Sequence, residues 1–303
     1  VKKVLVTGAG GFLGRHLVHY LKTKTKDVWV CAADCIDEPQ LNADRYFKVD
    51  FTEESQVRNV IDEIMPNCII HLAGLFDGAD PIRVYRINVL SLAILLETVR
   101  RKCPSALILT AGSAAEYGIV SPDHLPVSEL TPCFPVGIYG QTKLLATQIA
   151  EFYHRVYQSS VMVFRPFQLI GKGVSSKLAP GAFAEQLQCA VAQNEPVIKV
   201  GNLKSFRDFL DVMDATEAIW SLCCKPAPGE VFNICSGRFT QMAELLDQMI
   251  RILGLDVRID VDPSRLRGKE EVSVIYGSNA KIHRHCGWQP RISLEQSIQK
   301  MFL

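Results

Sequence analysis

Val4-Leu5-Val6-Thr7-Gly8-Ala9-Gly10-Gly11-Phe12-Leu13-Gly14 is the stretch that decides the fold. The first four residues are a short apolar, β-branched run that period alone cannot assign to strand or helix. The glycine-rich turn after them resolves the ambiguity, because Phe12, Leu13, Leu17, Val18 and Leu21 then fall on one helical face. Strand, glycine turn and helix in that order open a dinucleotide-binding unit. Gly8 permits the sharp turn, Gly11 leaves room for a pyrophosphate at the helix N-terminus, and Gly14 lets helix and strand pack closely. The spacing is G-x-x-G-x-x-G, and its weight comes from lying between a predicted strand and a predicted helix.

Working outward, Val28-Trp29-Val30-Cys31-Ala32-Ala33 reads as a second strand ending at Asp34, 20 residues past Gly14. A carboxylate there can bind both hydroxyls of the adenosine ribose and repels a 2′-phosphate, which favours NAD over NADP. Arg15, beside the turn, is a basic residue that could meet a phosphate, so NADP stays open. Further strands are predicted at Tyr46–Val49, within Cys68–Gly74 together with its exit turn, at Ala106–Thr110 and at Val161–Phe164. The helices between them run from Thr52, as N-cap, to Met65, from Ile82 to Arg101 and from Ile138 to Val156. Six alternations of strand and helix predict a doubly wound parallel α/β sheet of Rossmann type. After Arg165 the loops lengthen and short strands are scattered at Val197–Val200, Val231–Ile234 and Val257–Val261. The expected division is a dinucleotide-binding domain over 1–165 and a smaller, mostly C-terminal substrate lobe over 166–303, with segments returning to the main sheet.

The totals are those of a soluble globular chain: 303 residues, 48% hydrophobic, with 33 basic against 32 acidic side chains. A net charge of +1 offers no field for nucleic acid or a membrane surface, and there is no apolar run long enough to span a bilayer. Ten cysteines without a C-x-x-C, several in apolar runs as Cys68 and Cys189 are, read as buried free thiols of a reducing cytoplasm. The first strand starts within four residues of the beginning, which is expected of a chain without a signal peptide. His71 has no second His or Cys at ligand spacing, so no metal is expected.

Tyr139 and Lys143 stand at i and i+4 on one predicted helix face. A phenol with a pKa near 10 is a poor acid–base catalyst at neutral pH, and a neighbouring ammonium is expected to lower it. The same Lys can bond the nicotinamide ribose. Thr110-Ala111-Gly112-Ser113-Ala114-Ala115-Glu116-Tyr117-Gly118 leaves the C-terminal end of the fifth strand, where ligands of such sheets bind, so Ser113 is placed to hydrogen-bond a substrate oxygen.

TGAGGFLG, HLAG, the serine segment ending in EYG, and YGQTK together resemble the extended short-chain dehydrogenase/reductases that act on nucleotide sugars, over essentially the whole chain. The resemblance implies a catalytic triad of Ser113, Tyr139 and Lys143. It implies cofactor contacts from Gly8, Gly11, Phe12, Leu13, Gly14 and Asp34, from Asp50 and Phe51 after the third strand, from Leu72, Ala73 and Gly74, and from Asn88. Within the family, RPFQLIGKG, IKVGNLKSFRDFLDV, VFNICSG, RLR and GWQPRISLEQSI are most similar to the branch that reduces GDP-linked 4-keto-6-deoxy sugars. That implies substrate contacts from Ser113, Ala114, Gln168, Lys199, Arg207, Arg265 and Arg267, the arginines meeting a diphosphate nucleotide. Arg207 could instead form a surface ion pair with Asp208 or Asp211. Gln168 stands where the family usually has Asn, and Gly268 where Pro often follows RLR. The reductase branch implies NADP, against Asp34.

The family's 4,6-dehydratases carry a Glu two residues before the Tyr-Gly of the serine segment, and here that position is Ala115, preceded by Ala114. Glu116 is one backbone step away and aims elsewhere, so dehydration is not expected. The reading is therefore a nucleotide-sugar reductase. Its rivals are an NAD-dependent 4-epimerase with the same residues and a cofactor-sensing protein without catalysis. A homodimer is implied through the helices near 88–101 and 138–156.

Overall fold

A computed structural model describes residues 2–37, 39–76, 80–191, 196–266, 268 and 271–303; Arg267 lies outside them. The first half supplies strands β1 (Lys2–Thr7), β2 (Val28–Asp34), β3 (Arg45–Lys48), β4 (Cys68–His71), β5 (Leu107–Ala111) and β6 (Val161–Pro166). The second half supplies β7 (Gln168–Ile170), β8 (Val197–Val200), β9 (Phe206–Arg207), β10 (Phe209–Asp211), β11 (Val231–Ile234), β12 (Thr240–Gln241), β13 (Arg258–Val261) and β14 (Val274–Ile275). The main sheet has seven strands in the order β3-β2-β1-β4-β5-β6-β11, every neighbouring pair parallel. From β1 the chain winds outward to β3, then returns to the other side of β1 with β4. The strand order therefore reverses between β1 and β4, which opens a crevice at their C-terminal ends.

The strands are apolar runs because both faces of the sheet are covered. Val4 and Val6 point to one face and Leu5 to the other, and the same alternation separates Phe232 and Ile234 from Val231 at the far edge. On the first face lie helices α1 (Phe12–Lys24) and, from the second half, α7 (Val212–Cys224) and α9 (Ala280–Cys286). On the second lie α2 (Glu54–Ile64), α4 (Ser91–Lys102) and α5 (Ile138–Tyr157). A separate apolar cluster joins α6 (Ala179–Ala190), α8 (Met242–Leu253) and α10 (Leu294–Phe302) to β7, β8 and β10.

Three local expectations are corrected. Thr52 does not cap α2; its hydroxyl and its amide both donate to Asp50 Oδ1, at 2.7 and 2.9 Å, and the helix starts two residues later. The helix expected from Ile82 is α3 (Pro81–Tyr85) running into α4 through a π-helical stretch over Arg86–Leu90. Cys189 is exposed, because α6 buries the opposite face with Phe183, Ala184, Leu187 and Ala190.

Thr7 and His71 are register partners on β1 and β4. The Thr7 hydroxyl accepts from the Ala73 amide at 3.3 Å and shares a hydrogen bond with His71 Nδ1, 2.8 Å away. Burial, and then the charge of Lys143, push the His71 pKa down to about 3. The folded ring stays neutral while the unfolded one gains a proton below about pH 6.5. Stability is thus fully present above pH 6.5 and falls as pH drops toward about 3. The slope is at most about 1.4 kcal/mol per pH unit. His71→Gln should flatten this part of the acid profile in urea unfolding; an unchanged slope would assign the acid sensitivity to other groups.

Candidate active site

Gly8 has φ +65°, and a Cβ there would stand 2.6 Å from the Ala73 amide nitrogen and 2.7 Å from the Leu72 carbonyl carbon. The turn after β1 and the exit of β4 are thus in backbone contact. A Cβ on Gly14 would lie 2.3 Å from the Gly8 carbonyl oxygen, so α1 rests directly on the turn. Helix α1 starts at Gly11 without a capping side chain and with no acid in its first turn. Among the described residues a Cβ on Gly11 would meet only the Gly8 oxygen, at 3.2 Å. Uncapped N–H groups beside an open glycine fit the pyrophosphate of a dinucleotide.

Asp34 ends β2 and reaches the same turn. Its Oδ2 accepts from the Gly10 amide at 2.8 Å and its Oδ1 from the Cys35 amide at 2.7 Å. Arg15 is exposed and donates to the Gly10 carbonyl at 2.7 Å. Asp50 is exposed after β3, while Phe51 is buried edge-on to His71, ring centres 5.9 Å apart. Leu72, Ala73 and Gly74 form the exit of β4, and Phe12 and Leu13 are half-buried at the head of α1.

Asn88 lies in the π-helical stretch and is buried. Its Oδ1 accepts from the Leu75 amide at 2.7 Å, and its Nδ2 donates to the Leu75 carbonyl at 2.8 Å and to Thr142 Oγ1 at 2.9 Å. Thr142 in turn donates to the Tyr139 carbonyl at 2.9 Å. One amide side chain therefore holds the β4 exit against the first turn of α5. A mid-helix π stretch is a common device for re-aiming a residue at a site.

Ser113, Tyr139 and Lys143 come together at the end of β5. The Ser113 hydroxyl accepts from the Ala115 amide at 3.1 Å and lies beside the Tyr139 phenol. Lys143 is buried, with Nζ donating to the Ala111 carbonyl at 2.9 Å. A Cβ on Gly74 would lie 3.2 Å from that Nζ, so Lys143 also borders the β4 exit. Burial lowers the Lys143 pKa to about 8, against an opposing pull from Glu116. The Tyr139 phenol is pushed up from its ordinary value: burial and Glu116 raise it, and Ser113 only partly offsets them. The expected lowering by Lys143 is thus reversed. The ammonium is bonded to Ala111 and burial disfavours its own charge, so it does not offset the desolvation of the phenol.

Behind this group lies a buried network that the residue patterns did not disclose. Glu116 is fully buried; its Oε1 accepts from the Ser113 amide at 2.7 Å. Its Oε2 accepts from Thr147 Oγ1 at 3.0 Å and Arg165 Nε at 2.8 Å. Arg165 also donates to the Tyr117 hydroxyl at 3.2 Å, which donates to Asn233 Oδ1 at 2.7 Å. The S-x-x-E spacing of Ser113 and Glu116 is a capping-box signal that could have found the first contact. Nothing local announces Arg165, 49 residues away.

The other candidate substrate residues are more dispersed. Ala114 adjoins Ser113 and is half-buried, and Gln168 opens β7 beside Phe209. Arg207 on β9 donates to the Phe206 carbonyl at 2.8 Å and faces Glu271 at 3.8 Å. Asp208 and Asp211 are engaged elsewhere, Asp208 by Ser236, Gly237 and Gly277, and Asp211 by Met213 and Ser297. Lys199 is exposed on β8, and Arg265 is exposed 3.5 Å from Asp262 with its backbone against Gly201. Tyr276 and Phe206 both pack on Phe239, at ring-centre distances of 5.0 and 5.8 Å.

The sheet order, the glycine turn and the Ser–Tyr–Lys group define a Rossmann-type α/β protein with a dinucleotide crevice. Residues 4–235 match the model of the NAD dependent epimerase/dehydratase family, and the chain belongs to that family. It is 30% identical to GDP-6-deoxy-D-mannose reductase of Pseudomonas aeruginosa over 98% of this chain and 95% of that one. It is 31% identical to GDP-6-deoxy-D-talose 4-dehydrogenase of Aggregatibacter actinomycetemcomitans over 78% of this chain and 74% of that one. The solved structure of RMD from Pseudomonas aeruginosa complexed with NADPH superposes with a TM-score of 0.88 at 28% identity, covering 100% of this chain and 98% of that one.

Proposed function

We propose that this chain reduces the 4-keto group of a GDP-linked 4-keto-6-deoxy sugar. The observation that carries the proposal is the Ser113–Tyr139–Lys143 group at the carboxyl end of β5, in a chain similar over nearly its whole length to a GDP-6-deoxy-D-mannose reductase. The glycine turn, Asp34 and the β4 exit would hold a reduced nicotinamide dinucleotide, which would supply the hydride. Tyr139 gives its phenolic proton to the sugar oxygen as that oxygen becomes a hydroxyl, and Ser113 hydrogen-bonds the same oxygen. Lys143 has two N–H groups beyond its bond to Ala111 with which to hold the ribose. A phenol raised by burial is protonated at neutral pH, which suits a residue that donates in the reductive direction.

Asp50 is assigned to the adenine end, and Ala114, Gln168, Lys199, Arg207 and Arg265 to the nucleotide sugar, with guanidinium groups pairing bidentately with phosphate. A dehydratase reading finds no support, since Glu116 faces the buried Arg165 instead of the crevice. The epimerase reading is favoured by one feature: Asp34 suits a tightly held NAD. Net cofactor consumption separates the two. With a GDP-linked ketosugar, stoichiometric loss of nicotinamide absorbance is expected; interconversion of sugar nucleotides without net loss would make it an epimerase. Tyr139→Phe should abolish turnover while leaving dinucleotide affinity in place, and unchanged turnover would remove Tyr139 from the chemistry.

Asp34→Ala removes the carboxylate assigned to the ribose hydroxyls. NADH should bind roughly tenfold more weakly, as for a lost charge-assisted hydrogen bond, and NADPH more tightly. Fluorescence titration reads both, and an unaltered preference would place the ribose elsewhere.

Leu90, at the end of the π-helical stretch that leads into α4, is 46% exposed, and Phe152, Val156 and Tyr157 on α5 are exposed at 41%, 50% and 45%. Arg100 stacks on Tyr157, so the two helices present one continuous surface. This supports a homodimer through these helices; light scattering should give twice the chain mass at micromolar concentration, and a monomer mass would count against it. The ten cysteines are all free, and no helix among the described residues is long and apolar enough to cross a membrane. Both fit a cytoplasmic enzyme.

A further inference from the structure

We infer that Glu116 is a positioning residue that fixes Ser113 against Tyr139, with Arg165 as its buried counter-charge. The inference rests on the proposed reductase reading only in taking Ser113 and Tyr139 as the groups that meet the reacting oxygen.

The sheet stops holding the chain just before Ser113. The last backbone bond from β5 to β6 is the Gly112 amide to the Phe164 carbonyl, at 2.7 Å. Ser113 comes next with extended backbone, and its amide is taken by Glu116 Oε1. The Glu116 amide returns a bond to the Ser113 carbonyl at 3.1 Å, which closes the turn. A serine side chain has one rotatable bond to its oxygen, so the backbone held by Glu116 decides where that hydroxyl lies. The space is reserved for the carboxylate: a Cβ on Gly112 would sit 2.4 Å from Oε1.

The second carboxylate oxygen faces the other way. It takes Thr147, one turn beyond Lys143 on α5, and Arg165 on β6. One carboxylate therefore joins the Ser113 turn, the helix of Tyr139 and Lys143, and the neighbouring strand. Arg165 passes the contact on to Tyr117 and Asn233 on β11, so the network has partners throughout. A fully buried ion pair is weak evidence for stability, because desolvation offsets much of its attraction and apolar residues often replace it without loss. A site that needs Ser113 and Tyr139 within a fraction of an ångström of a productive pose gives such a pair a different use.

Among the described residues, Glu116 from the β5 exit acts on the Tyr139 phenol and on Lys143 of α5, Arg165 on β6 pairs with Glu116, and the neutral His71 on β4 feels the charge of Lys143. Glu116 raises both the phenol and the Lys143 ammonium. Neutralising it should therefore move the phenol's titration to lower pH, an effect that a purely structural residue would not produce.

The test compares wild type with Glu116→Gln and with the double variant Glu116→Gln/Arg165→Met. In the single variant an amide N–H must oppose either the Ser113 amide or the Thr147 and Arg165 donors. The double variant removes the guanidinium left without its counter-charge and keeps the experiment open if the single variant fails to fold. Two readouts are taken on the same samples: turnover against pH, and hydrogen exchange of the peptide spanning residues 111–117, which needs no substrate. For Glu116→Gln, kcat is expected to fall on the order of 10- to 100-fold, with the dinucleotide KM within about threefold. The pH profile should shift down and exchange in that peptide should accelerate; the double variant should recover part of both losses. Wild-type kcat and wild-type exchange in the variants would overturn the inference, as would lost kcat with unchanged exchange. If wild type turns over no ketosugar, the reductase reading falls by itself. Accelerated exchange then still supports the positioning role, and unchanged exchange refutes it.

Discussion

The backbone contact between Gly8 and the Leu72–Ala73 peptide is the constraint on which the rest of this molecule depends. A side chain at Gly8 would have to occupy the Ala73 amide. Because the contact is backbone to backbone, the turn after β1 and the exit of β4 form one wall. Gly14 then seats α1 on that wall, and its uncapped N-terminus faces the crevice. Asp34 at the end of β2 and Gly74 at the end of β4 are brought to opposite sides of the same opening. A pairing slip of one residue would send Val4 and Val6 to the other face and Leu5 to theirs, so the two apolar layers that fix the sheet also fix the opening.

Inside the crevice, water is excluded on one side and charge is handled locally. Lys143, His71, Glu116 and Arg165 are all buried, and each is dealt with differently. His71 is held neutral. Lys143 is brought toward neutrality and bonded to a carbonyl. Glu116 and Arg165 are paired with each other. The Tyr139 phenol sits among these groups and remains a phenol, which is the form a proton donor needs. The protonation of Tyr139 thus follows from desolvation more than from the Tyr–Lys spacing.

Membership of the NAD dependent epimerase/dehydratase family bounds the chemistry, and the periphery narrows it. Oxidoreductases and epimerases of such sheets can share a Ser–Tyr–Lys group, so the distinction between them lies in how a cofactor is held and which sugar nucleotide is admitted. Here the serine turn has alanines at 114 and 115 and turns its one carboxylate inward. The carboxylate ties the turn to α5 and β6.

The sequence by itself determined the local elements and their order. The glycine turn, the apolar runs, the acid at the end of β2 and the Tyr–Lys spacing are properties of neighbouring residues, and neighbours are what a linear pattern records. It also placed a short strand at Val231–Ile234, although not that this strand joins the main sheet beside β6. Tertiary structure decided what depends on distant partners. The π stretch that aims Asn88 is fixed by Thr142, 54 residues on. The inward turn of Glu116 is fixed by Arg165, and the exposure of Cys189 by which face of α6 meets the second core. Above all, the sign of the Tyr139 shift was not legible: spacing counts the nearby charge, whereas burial, which only the folded chain creates, outweighs it.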